Sequence, residues 1–341
     1  MRMIRFGKTG LELSAVGLGG VQFSKISHQQ VAVIIARARE LGINWIETAY
    51  GYHDSEEKIG AAVAGDWSGL HIISKSSGGE TEGFLNRVEE SKARLRVERF
   101  DLYQFHGVDD QGYWRAVHAR GGALAAAREL KKQGLIGHLG VTTHNLDLAL
   151  SMLEADWVES VQLPLSFLNT EVAASGFLDR AQEKRIGVLA MKPFAGGRLE
   201  SSRLCLDYIY SLPSVLPVVG VEEVWQVEDL VERAEHPEPL TEADEREMQR
   251  IRDDLGRVFC RACRYCEPCP QEISIYQALY FPIYIKQMGL ARIIGGGEPS
   301  YLVAARTCTE CGQCEERCPF HLEIREGMKQ SLALYEELSR S

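Results

Sequence analysis

"AVGLGGVQF", residues 15–23, separates two folds that both alternate strands with helices. It is a short, mostly apolar run, which reads as a buried strand. A doubly wound sheet that holds a dinucleotide follows its first strand with G-x-G-x-x-G. Here "GLGG" (17–20) is too short to be that fingerprint. The competing architecture is a (β/α)8 barrel, in which eight strands each precede a helix within about 250 residues.

Seven further runs resemble the first. The candidate strands are "INWIETAY" (43–50), "HIISKS" (71–76), "DLYQFHG" (101–107), "GHLGVTT" (137–143), "SVQLPLS" (160–166), "GVLAMKP" (187–193) and "VLPVVGV" (215–221). Their length and their Val and Ile content suit strands buried on both faces. Between them lie stretches with apolar residues at i, i+3 and i+4, such as "HQQVAVIIARARELG" and "FLNRVEESKARLRV". Eight such alternations predict an α/β fold, a (β/α)8 TIM barrel. The charged "LTEADEREMQRIRDDLG" (240–256) is expected to close it, with a domain boundary at 257/258.

Beyond that boundary the composition changes. "CRACRYCEPCP" (260–270) and "CTECGQCEERCP" (308–319) hold eight of the nine cysteines. With no long apolar stretch in "MRMIRFGKTGLELS", a secretory signal is not expected. The thiols then point to a reducing, cytoplasmic setting and to metal binding rather than disulfides. Zinc ribbons separate two C-x2-C knuckles, whereas these runs are tandem. The aromatic and apolar segment between the runs, 273–300, is expected to form helices that dock the module on the barrel. Cys205 stands apart and reads as a small buried hydrophobe.

Charge excludes some roles. The formal net charge is −10, with no Lys/Arg block, so nucleic acid is not an expected partner. The segment 258–341 carries nine basic and ten acidic side chains, so the acidity is not gathered around the cysteines. No apolar run approaches the ~20 residues of a membrane span.

Ionisable residues fall at or just past the ends of the second, third and fourth expected barrel strands: Glu47 and Tyr52, Lys75, and His106. In a barrel that end carries the chemistry. "GKTGLELSAVGLGG", "ETAYGYHDSEEKIG", "IISKS" and "DLYQFHGVDD" together resemble the aldo-keto reductase family over about residues 3–255. The resemblance implies a catalytic set of Tyr52, Lys75, His106 and Glu47. Hydride reduction of a carbonyl leaves an alkoxide that needs a proton; Tyr52 would give it, Lys75 would lower its pKa, and Glu47 would hold Lys75. His106 would orient the carbonyl oxygen. The chain departs from the family pattern in having Glu47 where the family has Asp, and His53 where it has Gly.

The same resemblance implies a nicotinamide site at Thr142, Thr143, Gln162, Met191 and Lys192. Gln162 matches the residue that reads the carboxamide, and Lys192 lies within reach of a pyrophosphate. After the eighth strand, "GVEEVWQVEDL" offers Glu222, Glu223, Glu228 and Asp229 and no Arg. NAD(H) is therefore expected over NADP(H).

The cysteine runs resemble two-cluster ferredoxins, and the fusion resembles a subgroup of aldo-keto reductases with such a carboxyl-terminal module. The implied ligand sets are Cys260, Cys263, Cys266 and Cys318 for one [4Fe–4S] cluster, and Cys308, Cys311, Cys314 and Cys269 for the other. The first run has two residues before its fourth cysteine, the second three. Expected partners are a small carbonyl or alcohol substrate and a one-electron donor protein. A non-enzymatic electron carrier or assembly subunit on a degenerate barrel is the alternative.

Overall fold

The computed structural model describes residues 1–255 and 259–340. The chain divides into two compact units, Met1–Thr241 and Glu242–Ser341. The helix Glu242–Leu255 thus groups with the second unit, and the boundary expected at 257/258 lies outside the described residues.

The first unit opens with a hairpin of β1 (Met3–Arg5) and β2 (Glu12–Ser14), which no sequence signal marked. Eight further strands complete it: β3 (Gly17–Gly19), β4 (Trp45–Glu47), β5 (His71–Ser76), β6 (Phe100–Phe105), β7 (Ile136–Thr142), β8 (Ser160–Pro164), β9 (Gly187–Met191) and β10 (Val215–Val219). All pair in parallel with their neighbours in chain order, and β10 closes on β3. This is the closed barrel that the alternating pattern predicts. The first run is shorter than read: after Gly19 the chain turns into a 3-10 helix, Gly20–Ser24. A Cβ at Gly20 would come within 3.0 Å of the Glu47 carbonyl and 2.8 Å of the Ser55 hydroxyl, so the turn needs a glycine there.

Helices begin where the sequence signals them. His28–Glu40 carries a capping box in which Ser27 Oγ accepts from Gln30 N and Gln30 Oε1 accepts from Ser27 N.

Period-two alternation builds the barrel interior. On β4, Trp45 points inward, Ile46 outward to the helices, and Glu47 inward again. Ile73 and Lys75 do the same on β5, as do Leu102 and Gln104 on β6. Trp45, Ile73, Leu102, Leu189, Leu216 and Val218 form one buried apolar cluster, joined by Phe6 and Leu13 from the hairpin and its turn. The hairpin therefore plugs the amino-terminal end. The next layer towards the carboxyl ends is polar: Glu47, Lys75, Gln104 and Gln162 are all at most 3% exposed. The larger core lies between strands and surrounding helices.

The second unit is helical. Its two main helices besides Glu242–Leu255 are Ile275–Met288 and Ile324–Leu338, packed on each other. Its apolar core includes Ile275, Phe281, Leu302, Ile324 and Met328, together with Cys266 and Cys318.

Candidate active site and cysteine centres

Glu47, Lys75 and Gln162 meet inside the carboxyl end of the barrel. Lys75 Nζ donates to Glu47 Oε1 and to the Thr48 carbonyl, the latter at 2.8 Å. Gln162 Nε2 donates to the same Glu47 oxygen at 2.6 Å. Lys75 is 1% exposed and Glu47 3%. Burial lowers the Lys75 pKa, and the pairing with Glu47 opposes that shift.

Tyr52 follows β4 on a loop. Lys75 Nζ lies over its ring, 4.7 Å from the centroid. Its ring meets that of His106 edge-on at 5.7 Å. The four expected catalytic residues are thus brought together. The phenol is held well above 10, first by burial and then by Glu47. That is the reverse of the lowering expected from Lys75, whose ammonium sits over the ring face. His106 is held well below 6.5, first by burial and then by the positive charge of Lys75, so the imidazole is neutral at pH 7. His53 takes φ +52°, the left-handed conformation that the glycine it replaces adopts without cost.

Thr142 and Thr143, at and just past the end of β7, are buried and committed to groups nearby. Thr142 Oγ1 accepts from Gly107 N at 2.8 Å; Thr143 Oγ1 donates to Asp109 Oδ1 at 3.2 Å. Met191 ends β9, half-buried. Lys192 comes next, in the left-handed region at φ +56°. Its ammonium is 2.9 Å from His144 Nε2, while His144 Nδ1 is 3.2 Å from Asp109 Oδ2. An ammonium can only donate, so Nε2 accepts and the Nδ1 proton goes to Asp109. Burial would raise the Asp109 carboxyl, yet His144 and its neighbours bring it down to about 2. Nothing in the sequence singled out the Asp109–His144–Lys192 chain, although "HGVDD" and "GVTTHN" hold two of its members.

The acidic stretch after β10 is less bare than its sequence. Lys25 pairs with Glu222 at 2.6 Å and Arg37 with Glu228 at 2.8 Å. Gln226 Oε1 accepts from Glu222 N and Glu223 N at 2.7 and 3.0 Å, occupying the start of the helix Val224–Glu235.

The two cysteine runs repeat one backbone course. Ala262 and Glu310, the residues before each second cysteine, both have left-handed φ, +57° and +54°. Arg264 and Gly312, just after it, are left-handed too. Three residues past each Cys-Pro cysteine come Glu272 and His321, again left-handed, their N–H groups bonding back to Cys269 and Cys318. Six residues past those cysteines the helices at Ile275 and Ile324 begin. Each half thus makes the same tight turn, which three thiols share.

Across the halves, Cys266 is raised first by burial, then by Cys260, Glu267, Cys263 and Cys318. Cys269, Cys308, Cys311 and Cys314, the second expected ligand set, line one small hollow that Cys266 also borders. No three described His, Cys, Asp or Glu side chains form a group that fits a single metal ion. Eight thiols in two repeated loops suit two four-iron clusters. Buried Cys205 is raised by burial alone.

Barrel and site together define a reductase scaffold, and sequence comparison gives its family. The aldo/keto reductase family profile matches residues 15–203, more than half of the chain, and a 4Fe-4S dicluster domain profile matches residues 259–322. The chain belongs to the aldo/keto reductase family. L-galactose dehydrogenase of Arabidopsis thaliana is 27% identical over 211 residues, 57% of this chain and 65% of that protein. L-glyceraldehyde 3-phosphate reductase of Escherichia coli (strain K12) is 26% identical over 227 residues, 58% of this chain and 63% of that protein. The chain therefore spans less than two thirds of either. A solved structure of a Pseudomonas aeruginosa protein assigned to the aldo-keto reductases is 27% identical with a TM-score of 0.60, covering 68% of this chain and 94% of that one. A Klebsiella pneumoniae aldo-keto reductase in complex with NADPH shares the fold, with a TM-score of 0.63 at 20% identity, over 73% of this chain and 94% of that one. Among the described residues no helix is long and apolar enough to cross a membrane.

Proposed function

We propose that the barrel interconverts a carbonyl and an alcohol with a nicotinamide cofactor, and that the second unit carries two [4Fe–4S] clusters that pass electrons singly. The observation that supports the barrel chemistry is the meeting of Tyr52, Lys75, Glu47 and His106 at the carboxyl ends of β4, β5 and β6.

A bound nicotinamide supplies hydride. The chain's own residues supply the proton and the orientation. Neutral His106 directs the carbonyl oxygen through a ring N–H. Tyr52, kept protonated by burial, delivers its proton to the forming alkoxide. Lys75 and Glu47 keep a balanced charge pair beneath the ring, so the lumen does not carry a lone buried ion. Gln162 would take the carboxamide and Lys192 the pyrophosphate. Lys192 is aimed by His144 and Asp109, which makes it a fixed cation rather than a mobile one.

NAD(H) is the favoured cofactor on this reading. Gln226 already fills the helix start that a 2′-phosphate would use, and "GVEEVWQVEDL" supplies no Arg. The eight ligands of the clusters are Cys260, Cys263, Cys266 and Cys318, and Cys269, Cys308, Cys311 and Cys314. Hydride brings both electrons of the reduction at once, so electrons held singly on the clusters are not spent in that step.

The test is turnover of NADH against a panel of aldehydes and ketones by wild type and Tyr52→Phe. The variant should lose at least about a hundredfold in kcat, the range of one positioned acid, while binding NADH as before. Equal turnover by both would remove Tyr52 from the chemistry.

A further inference from the structure

The bond from Gln162 Nε2 to Glu47 Oε1 joins β8 to β4, the sixth and second strands of the barrel. It therefore crosses the lumen rather than running along its wall. A carboxylate only accepts, so the amide must present nitrogen to Glu47 and oxygen elsewhere. That oxygen, Gln162 Oε1, is buried and has no hydrogen-bond partner among the described residues.

The length of residue 47 decides whether the bond exists. An Asp there would end about 1.5 Å shorter. The 2.6 Å separation would then open to about 4 Å, beyond hydrogen-bond reach. Lys75, on a flexible stem, could follow a shorter carboxylate; Gln162, fixed on β8, could not follow as far.

We propose that Glu47 is a positioning residue for Gln162: it takes the amide N–H across the barrel and leaves Oε1 as a fixed acceptor, so that the site selects a ligand group bearing N–H, a primary carboxamide, over one that only accepts. This rests on nicotinamide being the ligand. It goes further in giving Glu47 a role in recognition besides holding Lys75. The extra methylene is what allows one oxygen to serve both partners.

The experiment has two arms, both on the full chain with its clusters in place. The first uses calorimetry with NAD+ and with its 3-acetylpyridine analogue, which replaces the amide –NH2 by methyl. Wild type should bind NAD+ about tenfold more tightly, the range for a buried acceptor left without its donor. Glu47→Asp should lose that discrimination, and Gln162→Met should lose it as well. Equal binding of the two dinucleotides by wild type, or full discrimination retained in Glu47→Asp, overturns the proposal.

The second arm needs no ligand and separates this inference from the reading beneath it. The Gln162 side-chain NH2 protons should exchange slowly with solvent by NMR in wild type and quickly in Glu47→Asp. Fast exchange in wild type overturns the clamp whatever binds. Slow exchange in a protein that binds neither dinucleotide overturns nicotinamide as the ligand, and with it the carboxamide selection, while the clamp stands.

Discussion

Lys75→Met removes the ammonium from a pair that has almost no access to water. Lys75 is 1% exposed and Glu47 3%. Breaking one side of a buried pair costs about 3–5 kcal/mol, because the other charge stays behind. Gln162 donates to Glu47 before and after the change, so its hydrogen bond does not offset that cost. The loss is therefore about 3–5 kcal/mol. For a unit of this size each kcal/mol shifts Tm by about 2–4 °C, so Tm should fall by about 6–20 °C. The assay is thermal unfolding by circular dichroism, with the visible absorbance of the clusters followed separately. Adding Glu47→Gln removes the stranded charge and should restore at least half of the loss. A Lys75→Met protein melting within about 1 °C of wild type, or a double variant no more stable than the single one, would refute a buried charge pair under Tyr52.

Two further outcomes concern the same site and the cysteines. Reduction needs Tyr52 protonated and His106 neutral. Since Tyr52 is raised above 10 and His106 lowered below 6.5, kcat should stay level across that whole window, with its alkaline limb above 10 and its acid limb below 6.5; a limb near neutrality in a pH–rate profile would contradict these directions. Anaerobically purified protein should hold about eight irons with matching sulfide, and Cys318→Ala should fall to about four; zinc in place of iron would end the cluster assignment.

Much of the barrel was legible because burial on both faces leaves short apolar runs that only strands fit. "HIISKS" matches β5 at both ends, with Ser76 its last residue. The first run was over-read because Val21 and Phe23 are as apolar as any strand residue. What bends them into a 3-10 helix is the close approach of Gly20 to Glu47 and Ser55, a contact made in space. The same limit hid the partners of the acidic stretch. Glu222 meets Lys25 and Glu228 meets Arg37 from 197 and 191 residues away, and no local pattern announces either pair. Glu47 was visible as an odd acid at a family position, but the extra methylene had no meaning until Gln162 stood opposite it. The cysteines were the opposite case. Their spacing is itself the signal, because three closely spaced thiols on one tight turn are suited to one small object.

The most direct measurement follows the hydrogen itself. NADH carrying deuterium at both C4 positions is given, with an accepted carbonyl substrate, to the anaerobic protein with its clusters oxidised, and the alcohol is analysed by mass spectrometry. A nicotinamide-dependent reductase built around Tyr52 predicts one deuterium on the former carbonyl carbon in wild type, and no labelled product from Tyr52→Phe. Alcohol formed without the label would mean that electrons reach the substrate one at a time through the iron–sulfur unit, with the proton drawn from water, and would contradict hydride transfer in the barrel.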